Sequence, residues 1–231
     1  MENQLKKENL PWEELNRFGL TEEKLEKTGS LEKLLNLEKT NVIPIHFSIG
    51  DASFKGDARV YFNIKDDKVK VNFMFVKRQP QLNHPIYGNS YLTELQKQNL
   101  LDTGNAGELV DVKIGDELKK MYVSIDKETN HIVCTPESKI RIPNKIAGLE
   151  LSPEQKKDLA AGKPVYLEGM TKKDGQSFSS WAQVNAFQKN VSFIKAPQGM
   201  ETPSVAEHST EQSLQQQQQK KKGKNKKSQT L

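Results

Sequence analysis

Two phenylalanines followed by two basic residues form the pattern in this sequence that most suggests chemistry. The string VNFMFVKR places Phe73 and Phe75 on one side of a β-strand, with Lys77 and Arg78 just beyond them. Aromatic rings on a sheet with cations nearby stack on bases in proteins that bind single-stranded nucleic acid. The string lacks the glycine and the leading basic residue of the usual RNA-binding strand motif, and alternating phenylalanines are also typical of a core. The pattern therefore predicts either a base-stacking surface or core packing.

The second cationic feature is a run of lysines near the end of the sequence. Six lysines within eight residues contact phosphates without sequence preference when they are carried on a flexible segment. These lysines are Lys220, Lys221, Lys222, Lys224, Lys226 and Lys227. The alternative is that the run only keeps the protein in solution. Five glutamines (Gln215–Gln219) precede the run, and we interpret them as a spacer, although glutamine tracts also mediate self-association.

The net charge of +5 depends largely on this segment. Residues 196–231 hold six lysines and three glutamates, so the rest of the chain has 29 basic and 27 acidic residues, a balance of +2. A nearly neutral body does not indicate a broadly basic surface.

The titratable residues do not form a recognisable metal or thiol site. The single cysteine, Cys134, has no neighbouring base and is predicted to be a small packed residue, as is His46 in its apolar strand. The histidines are isolated, so no pair has the spacing of zinc ligands: His46, His84, His131 and His208. We expect no metal, no cofactor and no catalytic residue.

The glycine-containing strings do not predict a phosphate loop. DTGNAG and LAAGKP follow predicted helices, whereas a phosphate-binding loop precedes a helix so that its amides point at the anion. We interpret both as helix C-caps. Glutamate pairs occupy first helical turns, where they favour the helix dipole, and no Gly-x-Ser-x-Gly string occurs. An enzyme with an unfamiliar site stays as a third hypothesis, which a polar cleft with convergent titratable groups would support.

Local patterns predict an α+β fold. Residues 10–37 read as three short helices, with Thr21 and Ser30 as N-caps and glycines as stops. From Val42 to Val76 the period changes to two, which predicts an antiparallel meander. Residues 10–86 are therefore predicted to form a first domain of short helices and an antiparallel sheet.

The middle of the chain contains an internal repeat. LTELQKQNLLDTGNAGELVDVKI (Leu92–Ile114) returns in degraded form as LSPEQKKDLAAGKPVYLEGM (Leu151–Met170), with an offset of about 59 residues. Each copy predicts a capped helix, a glycine break and then strands, that is, a helix plus a β-hairpin. The predicted domains are residues 87–146 and 147–195, followed by a disordered Gln/Lys-rich tail at residues 196–231.

Several longer strings resemble a pair of linked families of unknown function. These strings are TNVIPI, GDARVYF, LLDTGNAGELVDV, SIDKETNHIV and KIRIPNKIAGLELSPEQKKDLAAGKPVYLEGMTKKDGQSF. The families are associated with conjugative and mobilisable elements of anaerobic gut bacteria and are sometimes attached to type IA topoisomerases. The resemblance covers roughly Trp12 to Ala196 and carries no known catalytic residue. It implies a bacterial cytoplasmic protein that acts near mobile DNA, with a topoisomerase or another mobilisation protein as a partner.

The expected function is a non-catalytic accessory module of a mobile element that binds DNA, RNA or a protein acting on them. The alternative is a protein–protein adaptor whose two similar repeats bind partners, with a merely solubilising tail. Trp12 and Trp181 are candidate interface anchors in that case, but we favour core packing for both. No run of about 18 apolar residues and no apolar leader occurs, so we expect a cytoplasmic protein without a membrane partner.

Overall fold

Three short helices form the first layer of the structure. The computed structural model describes residues 5–66 and 68–202, and the six lysines of the Lys-rich run lie outside these residues. A 3₁₀ turn at Lys7–Asn9 precedes the helices, which are α1 (Trp12–Arg17), α2 (Glu22–Lys27) and α3 (Ser30–Leu35). Helices of six residues are not stable alone in water, so packing must hold them. Their leucines provide that packing, since Leu15, Leu25 and Leu34 are fully buried.

One predicted cap is wrong and one is confirmed. The Thr21 hydroxyl accepts a hydrogen bond from the Lys24 amide at 3.3 Å, as an N-cap does. Ser30, in contrast, lies inside the first turn of α3, where its hydroxyl accepts from the Thr28 hydroxyl at 2.8 Å. Gly29 takes the N-cap position with a φ of 64° and provides no side-chain cap.

The predicted meander is confirmed as a three-stranded antiparallel sheet in the order β1-β2-β3. Its strands are β1 (Ile43–Ile49), β2 (Ala52–Lys65) and β3 (Lys68–Phe75). Helices α1–α3 cover part of one face, where Ile43, Ile45 and Val60 join the leucines in one core. Alternation of apolar and polar residues decides which face is covered.

The two repeats have the same element order, a helix followed by a three-stranded antiparallel sheet. The first repeat contains α4 (Glu94–Thr103), β4 (Val110–Ile114), β5 (Glu117–Asp126) and β6 (His131–Pro136). The second contains α5 (Pro153–Ala160), β9 (Val165–Thr171), β10 (Ser177–Asn185) and β11 (Asn190–Ile194). A small hairpin that the sequence pattern did not predict lies between them, with strands β7 (Lys145–Ile146) and β8 (Leu149–Glu150). The predicted α+β organisation of the two repeats is confirmed, and the hairpin of each is part of a three-stranded sheet.

Each repeat helix begins with a capping box. Thr93 and Ser152 accept hydrogen bonds from the amides of Gln96 and Gln155, and each glutamine side chain accepts from the amide of its cap residue. Helix α4 ends directly before Gly104, and α5 ends two residues before Gly162. Gly162 also permits a close approach between the backbones of the two repeats. A Cβ at Gly162 would lie 2.8 Å from the carbonyl carbon of Glu108, so only glycine lets the second repeat pack this closely on the first.

A buried polar network joins the two repeats. Gln183 on β10 is 1% exposed, and its amide nitrogen donates to the Gly162 carbonyl at 2.8 Å. Its amide oxygen accepts hydrogen bonds from two side chains of the first repeat. These are Thr103, the last residue of α4, and Asn105, two residues further on. The Ser124 hydroxyl on β5 donates to Asn105 at 2.7 Å and accepts from the Ala186 amide at 2.8 Å. Each of these buried groups has a partner, so the network fixes one arrangement of the repeats.

The segment at residues 140–144, between β6 and β7, forms no strand. A 3₁₀ turn at Glu137–Lys139 precedes it, and Ile140 is buried with Tyr122, Val184 and Ala186 in an apolar cluster between the repeats. This cluster supplies the apolar part of the contact between the repeats.

One buried ion pair joins the first sheet to the repeats. The Nε of Arg59 on β2 donates to Asp126 at the end of β5 at 2.6 Å, and its Nη1 donates to the Thr40 carbonyl at 2.8 Å. The guanidinium also pairs with Glu128, and it lies over the ring of Phe187, with 4.7 Å from Cζ to the ring centroid. The side chains of Arg59 and Asp126 are only 6% and 2% exposed. Residues from the first sheet and both repeats therefore meet at one guanidinium.

Replacing Asp126→Asn is expected to lower the free energy of unfolding by about 3 kcal/mol, because it leaves a buried guanidinium without its main counter-charge. The measurement is urea unfolding at neutral pH. Glu128→Gln is the matched control and is expected to change stability by less than about 1 kcal/mol, since the Glu128 side chain is 64% exposed.

The same variant gives a test that depends on pH. Burial raises the pKa of Asp126, but hydrogen bonds from Arg59 and Thr129 and the charge of Arg59 outweigh it, so the pKa is lower than usual. A lowered folded-state pKa contributes stability above the unfolded-state pKa, and that contribution is lost as the pH falls through the folded-state value. The stability difference between the natural protein and Asp126→Asn should therefore narrow below about pH 4. A constant difference from pH 7 to pH 3 would contradict the assigned ion pair.

Candidate functional site

Five phenylalanine rings form a continuous row across the first sheet. We call Phe54, Phe47, Phe18, Phe73 and Phe75, in this spatial order, the phenylalanine row. Successive ring centroids are 5.1, 5.3, 4.3 and 6.0 Å apart. These spacings are within the range of attractive contacts between aromatic rings, so the row is one packed unit.

The strand register explains how residues distant in sequence come together in this row. Phe47 on β1 lies opposite Phe54 on β2, and Phe75 on β3 lies opposite Ala58. All of these positions share one face, because side chains alternate along a strand. Gly56 and Ala58 on β2 are the small residues on this face, and they leave space for the phenylalanine rings. A Cβ at Gly56 would lie 4.0 Å from the Phe75 ring.

The two ends of the row are exposed, whereas its middle is part of the core. Phe18 and Phe73 pack against the buried leucines and strands under the helices. Phe54 and Phe75 are 46% and 44% exposed, and Ile49 at the end of β1 is 68% exposed on the same face. We call these three residues the apolar patch. Contiguous exposed apolar patches are characteristic of surfaces that contact other molecules.

A groove of about 780 Å³ lies next to the apolar patch, between α1 and β1. Phe18, Phe47 and Ile49 form its apolar wall, and α1 contributes Glu13, Glu14 and Arg17 on the opposite side. The charges on the helix side are mixed, with two carboxylates and one guanidinium. The groove thus combines an apolar wall with a mildly acidic rim.

The predicted stacking residues are in one region but have different surroundings. Phe73 contacts Phe18 and the core, which leaves Phe75 as the predicted ring with an exposed face. The ammonium of Lys77 donates to Gln81 at 3.1 Å, and its backbone binds Thr129 and Asn130 of the first repeat. Arg78 is exposed just beyond. The core interpretation therefore describes Phe73, whereas Phe75 has an exposed face and base stacking stays a prediction for that ring.

Sequence reasoning did not identify Phe18, Phe47 and Phe54 as neighbours of Phe73 and Phe75. Each of the three lies in a separate apolar string, and the local pattern of a single strand does not reveal its partners. The meander prediction contained the missing signal, because a two-residue turn at Gly50-Asp51 places Phe47 opposite Phe54.

The isolated histidines and the cysteine also have defined places. His46 was predicted to be packed, and this is wrong, because it lies on the exposed face of β1 with its Nε2 2.8 Å from the Ser53 hydroxyl. Cys134 is half-buried, and burial raises the pKa of its thiol to about 11, which disfavours a reactive thiolate. Within residues 5–66 and 68–202, no group of three His, Cys, Asp or Glu side chains is arranged to hold a metal ion.

The two tryptophans are at least half-buried within the fold. Trp12 packs against the first core, and its indole nitrogen donates to the Lys7 carbonyl at 2.9 Å. Trp181 on β10 contacts Tyr166, with ring centroids 5.4 Å apart.

Comparisons with known proteins identify two family matches in this architecture. Residues 5–85 match a family described as protein of unknown function (DUF4099), and residues 143–196 match another described in the same way (DUF3945). The chain contains these two domains of unknown function. The first covers the helices, the first sheet and the connector, and so contains the whole phenylalanine row, while the second covers the second repeat. No curated protein and no solved structure matches the chain.

No helix in the described part of the chain is long and apolar enough to cross a membrane.

The division of the phenylalanine row into core and surface can be tested by stability. Phe73→Ala is expected to lower the free energy of unfolding by about 2 kcal/mol or more, because it opens a cavity beside Phe18. Phe54→Ser and Phe75→Ser are each expected to lower it by no more than about 1 kcal/mol, since nearly half of each side chain is already exposed. Urea unfolding of the three variants measures the difference. Equal losses would contradict the assignment of Phe54 and Phe75 to a surface.

Proposed function

We propose that this chain is a non-catalytic accessory module of a mobile genetic element, which binds nucleic acid in the bacterial cytoplasm. The observation that carries the proposal is the apolar patch, which presents Phe54 and Phe75 on a rigid sheet. Exposed aromatic rings on a sheet stack on unpaired bases, so single-stranded DNA or RNA is the class of ligand.

The distribution of charge supports non-specific binding. Lys77 and Arg78 come two and three residues after Phe75, close enough along the chain to contact the backbone phosphates of a strand stacked on the exposed ring. The Lys-rich run at residues 220–227 adds six further cations in the same chain. Binding of this kind releases counterions and weakens steeply with salt.

The family context supports the same proposal. Two linked domains of unknown function cover residues 5–85 and 143–196, and the strings quoted above resemble families from conjugative and mobilisable elements. Modules of such elements work next to mobile DNA and the proteins that process it. A topoisomerase or another mobilisation protein is therefore the proposed protein partner.

A protein–protein adaptor is the second candidate, and the groove beside the apolar patch favours it. Glu13 and Glu14 on its rim would repel a phosphate backbone, whereas they would attract a basic protein segment. In that case the patch would hold apolar side chains, and the Lys-rich run would only keep the protein in solution.

Binding of a labelled oligo-dT, measured by fluorescence anisotropy from 50 to 200 mM salt, tests the proposal. The double variant Phe54→Ser/Phe75→Ser is expected to lose about tenfold or more in affinity with an unchanged salt slope, because it removes stacking and no charge. Ile64→Ser, an equally exposed position at the other end of β2, is the matched control and should bind normally.

Deletion of Gln215–Leu231 gives the complementary result. We expect a lower affinity and a log–log salt slope that is flatter by up to about 4, since six lysines are removed and single strands release about 0.7 counterion per contact. Weak binding that is identical in all variants would reject nucleic-acid binding. The adaptor would then be tested by capturing partners with and without nuclease treatment.

A further inference from the structure

A second groove lies where the first sheet and the two repeats meet, away from the phenylalanine row. Lys39 and the neighbouring backbone after α3 form one side, Cys134 and Thr135 of β6 form another, and Phe187 and Lys189 of the β10–β11 turn form the third. Its volume is about 740 Å³. We call it the junction groove. It is large enough for a nucleotide-sized molecule, and its shape depends on all three parts of the fold.

Lys39 holds its charge in this groove at a cost. It is half-buried, and its Nζ lies 5.5 Å from the ring centroid of Tyr61 and 5.8 Å from that of Phe187. Burial lowers the pKa of Lys39, and the positive charges of Lys189 and Arg59 act in the same direction, with only Asp126 opposing them. A half-buried ammonium beside other cations is unfavourable unless an anion compensates for it.

Neither groove lysine has a carboxylate partner among the described residues. No carboxylate oxygen of residues 5–66 and 68–202 lies within 4.0 Å of the Nζ of Lys39 or Lys189. The nearby Asp126 and Glu128 are both engaged by Arg59. Glu38 also lines the groove but does not reach either ammonium. Two cations therefore face the groove with their charges available.

Lys189 is also held in an unfavourable backbone conformation. Its φ is 53°, in the left-handed region that favours glycine and asparagine. The equivalent turn of the first repeat joins β5 to β6 and has the same number of residues. The residue that corresponds to Lys189 in that turn is Asn130, which has a φ of 56°. The second repeat thus has a lysine where its sister turn has a residue suited to the conformation. Residues retained against their own stability are characteristic of binding sites.

We propose that the junction groove binds the phosphate of a phosphorylated ligand between Lys39 and Lys189. Two ammonium groups at one opening suit a multiply charged oxyanion better than a single carboxylate, because each supplies a full charge and several donors. Phe187 provides an apolar wall for the organic part of the ligand. This site is separate from the apolar patch and does not depend on the proposed function.

The phosphate could belong to a small molecule or to a nucleic-acid backbone, so two probes are needed. Inorganic pyrophosphate represents the shared chemistry, and its binding is followed by the melting temperature at constant ionic strength. A saturating concentration of about one hundred times Kd should raise Tm by about 5 °C or more. An oligo-dT that competes with pyrophosphate would identify the backbone as the source, and one that does not would identify a small phosphorylated molecule.

The variants separate binding from folding. Lys39→Met removes the buried charge but keeps the bulk, and Lys189→Asn installs the residue of the sister turn. Each is expected to raise the Tm of the free protein, by about 2 °C for Lys189→Asn, and to lose the response to pyrophosphate. A gain in stability combined with a loss of binding cannot come from misfolding.

Two matched controls complete the test. Lys173→Met removes an exposed lysine of the β9–β10 turn and should keep the full response. Asp66→Gly relieves another positive φ, 52°, in the β2–β3 turn, and should gain stability without losing the response.

The proposal is overturned if pyrophosphate gives no shift at matched ionic strength, or if Lys39→Met and Lys189→Asn respond like the controls. Phe54→Ser/Phe75→Ser should still respond to pyrophosphate, so loss of oligonucleotide binding in that variant would concern the apolar patch alone.

Discussion

The pairing of Arg59 with Asp126 is the constraint on which the arrangement of this protein depends. The two residues are 67 positions apart, and they join the central strand of the first sheet to the end of β5. Asp126 also orders the turn after β5, because it accepts hydrogen bonds from the Thr129 hydroxyl and the Glu128 amide. A buried ion pair adds little net stability relative to apolar packing, but separating its partners is costly. Its main effect is therefore to permit one orientation of the first sheet on the repeats.

Both proposed binding surfaces follow from that orientation. At the end of β3, the Phe75 carbonyl contacts His131 and the Lys77 amide donates to the Thr129 carbonyl, so the first repeat supports one end of the phenylalanine row. The orientation set by the Arg59–Asp126 pair also places the Phe187 ring against the Arg59 guanidinium. The turn that contains Phe187 also contains Lys189. A change at Arg59 would thus disturb the exposed end of the row and the junction groove together, although the two surfaces are separate.

The sequence predicted the elements well and their contacts poorly, for a physical reason. Alternation in VNFMFV, the glycine stops and the capped starts of the two repeat helices are local signals, and each identified its strand or helix. His46 and Ser30 were assigned wrongly because an apolar neighbourhood does not tell which face of a strand or which turn of a helix a polar residue occupies. The Arg59–Asp126 pair and the phenylalanine row are non-local, so no window of sequence contains them.

The internal repeat shows how a duplicated unit becomes asymmetric. Asp126 and Asn185 end the equivalent strands β5 and β10, so a shift of 59 in residue number aligns Ser124 with Gln183. When two copies pack on each other through different surfaces, aligned positions meet different partners, and identical residues cannot satisfy both. Ser124 therefore binds Asn105 and the Ala186 amide, whereas Gln183 spans the gap from Gly162 to Thr103. The same reasoning explains the two turns: Asn130 binds the carbonyl of Lys77, which lies just after the first sheet, while Lys189, without that role, lines the junction groove.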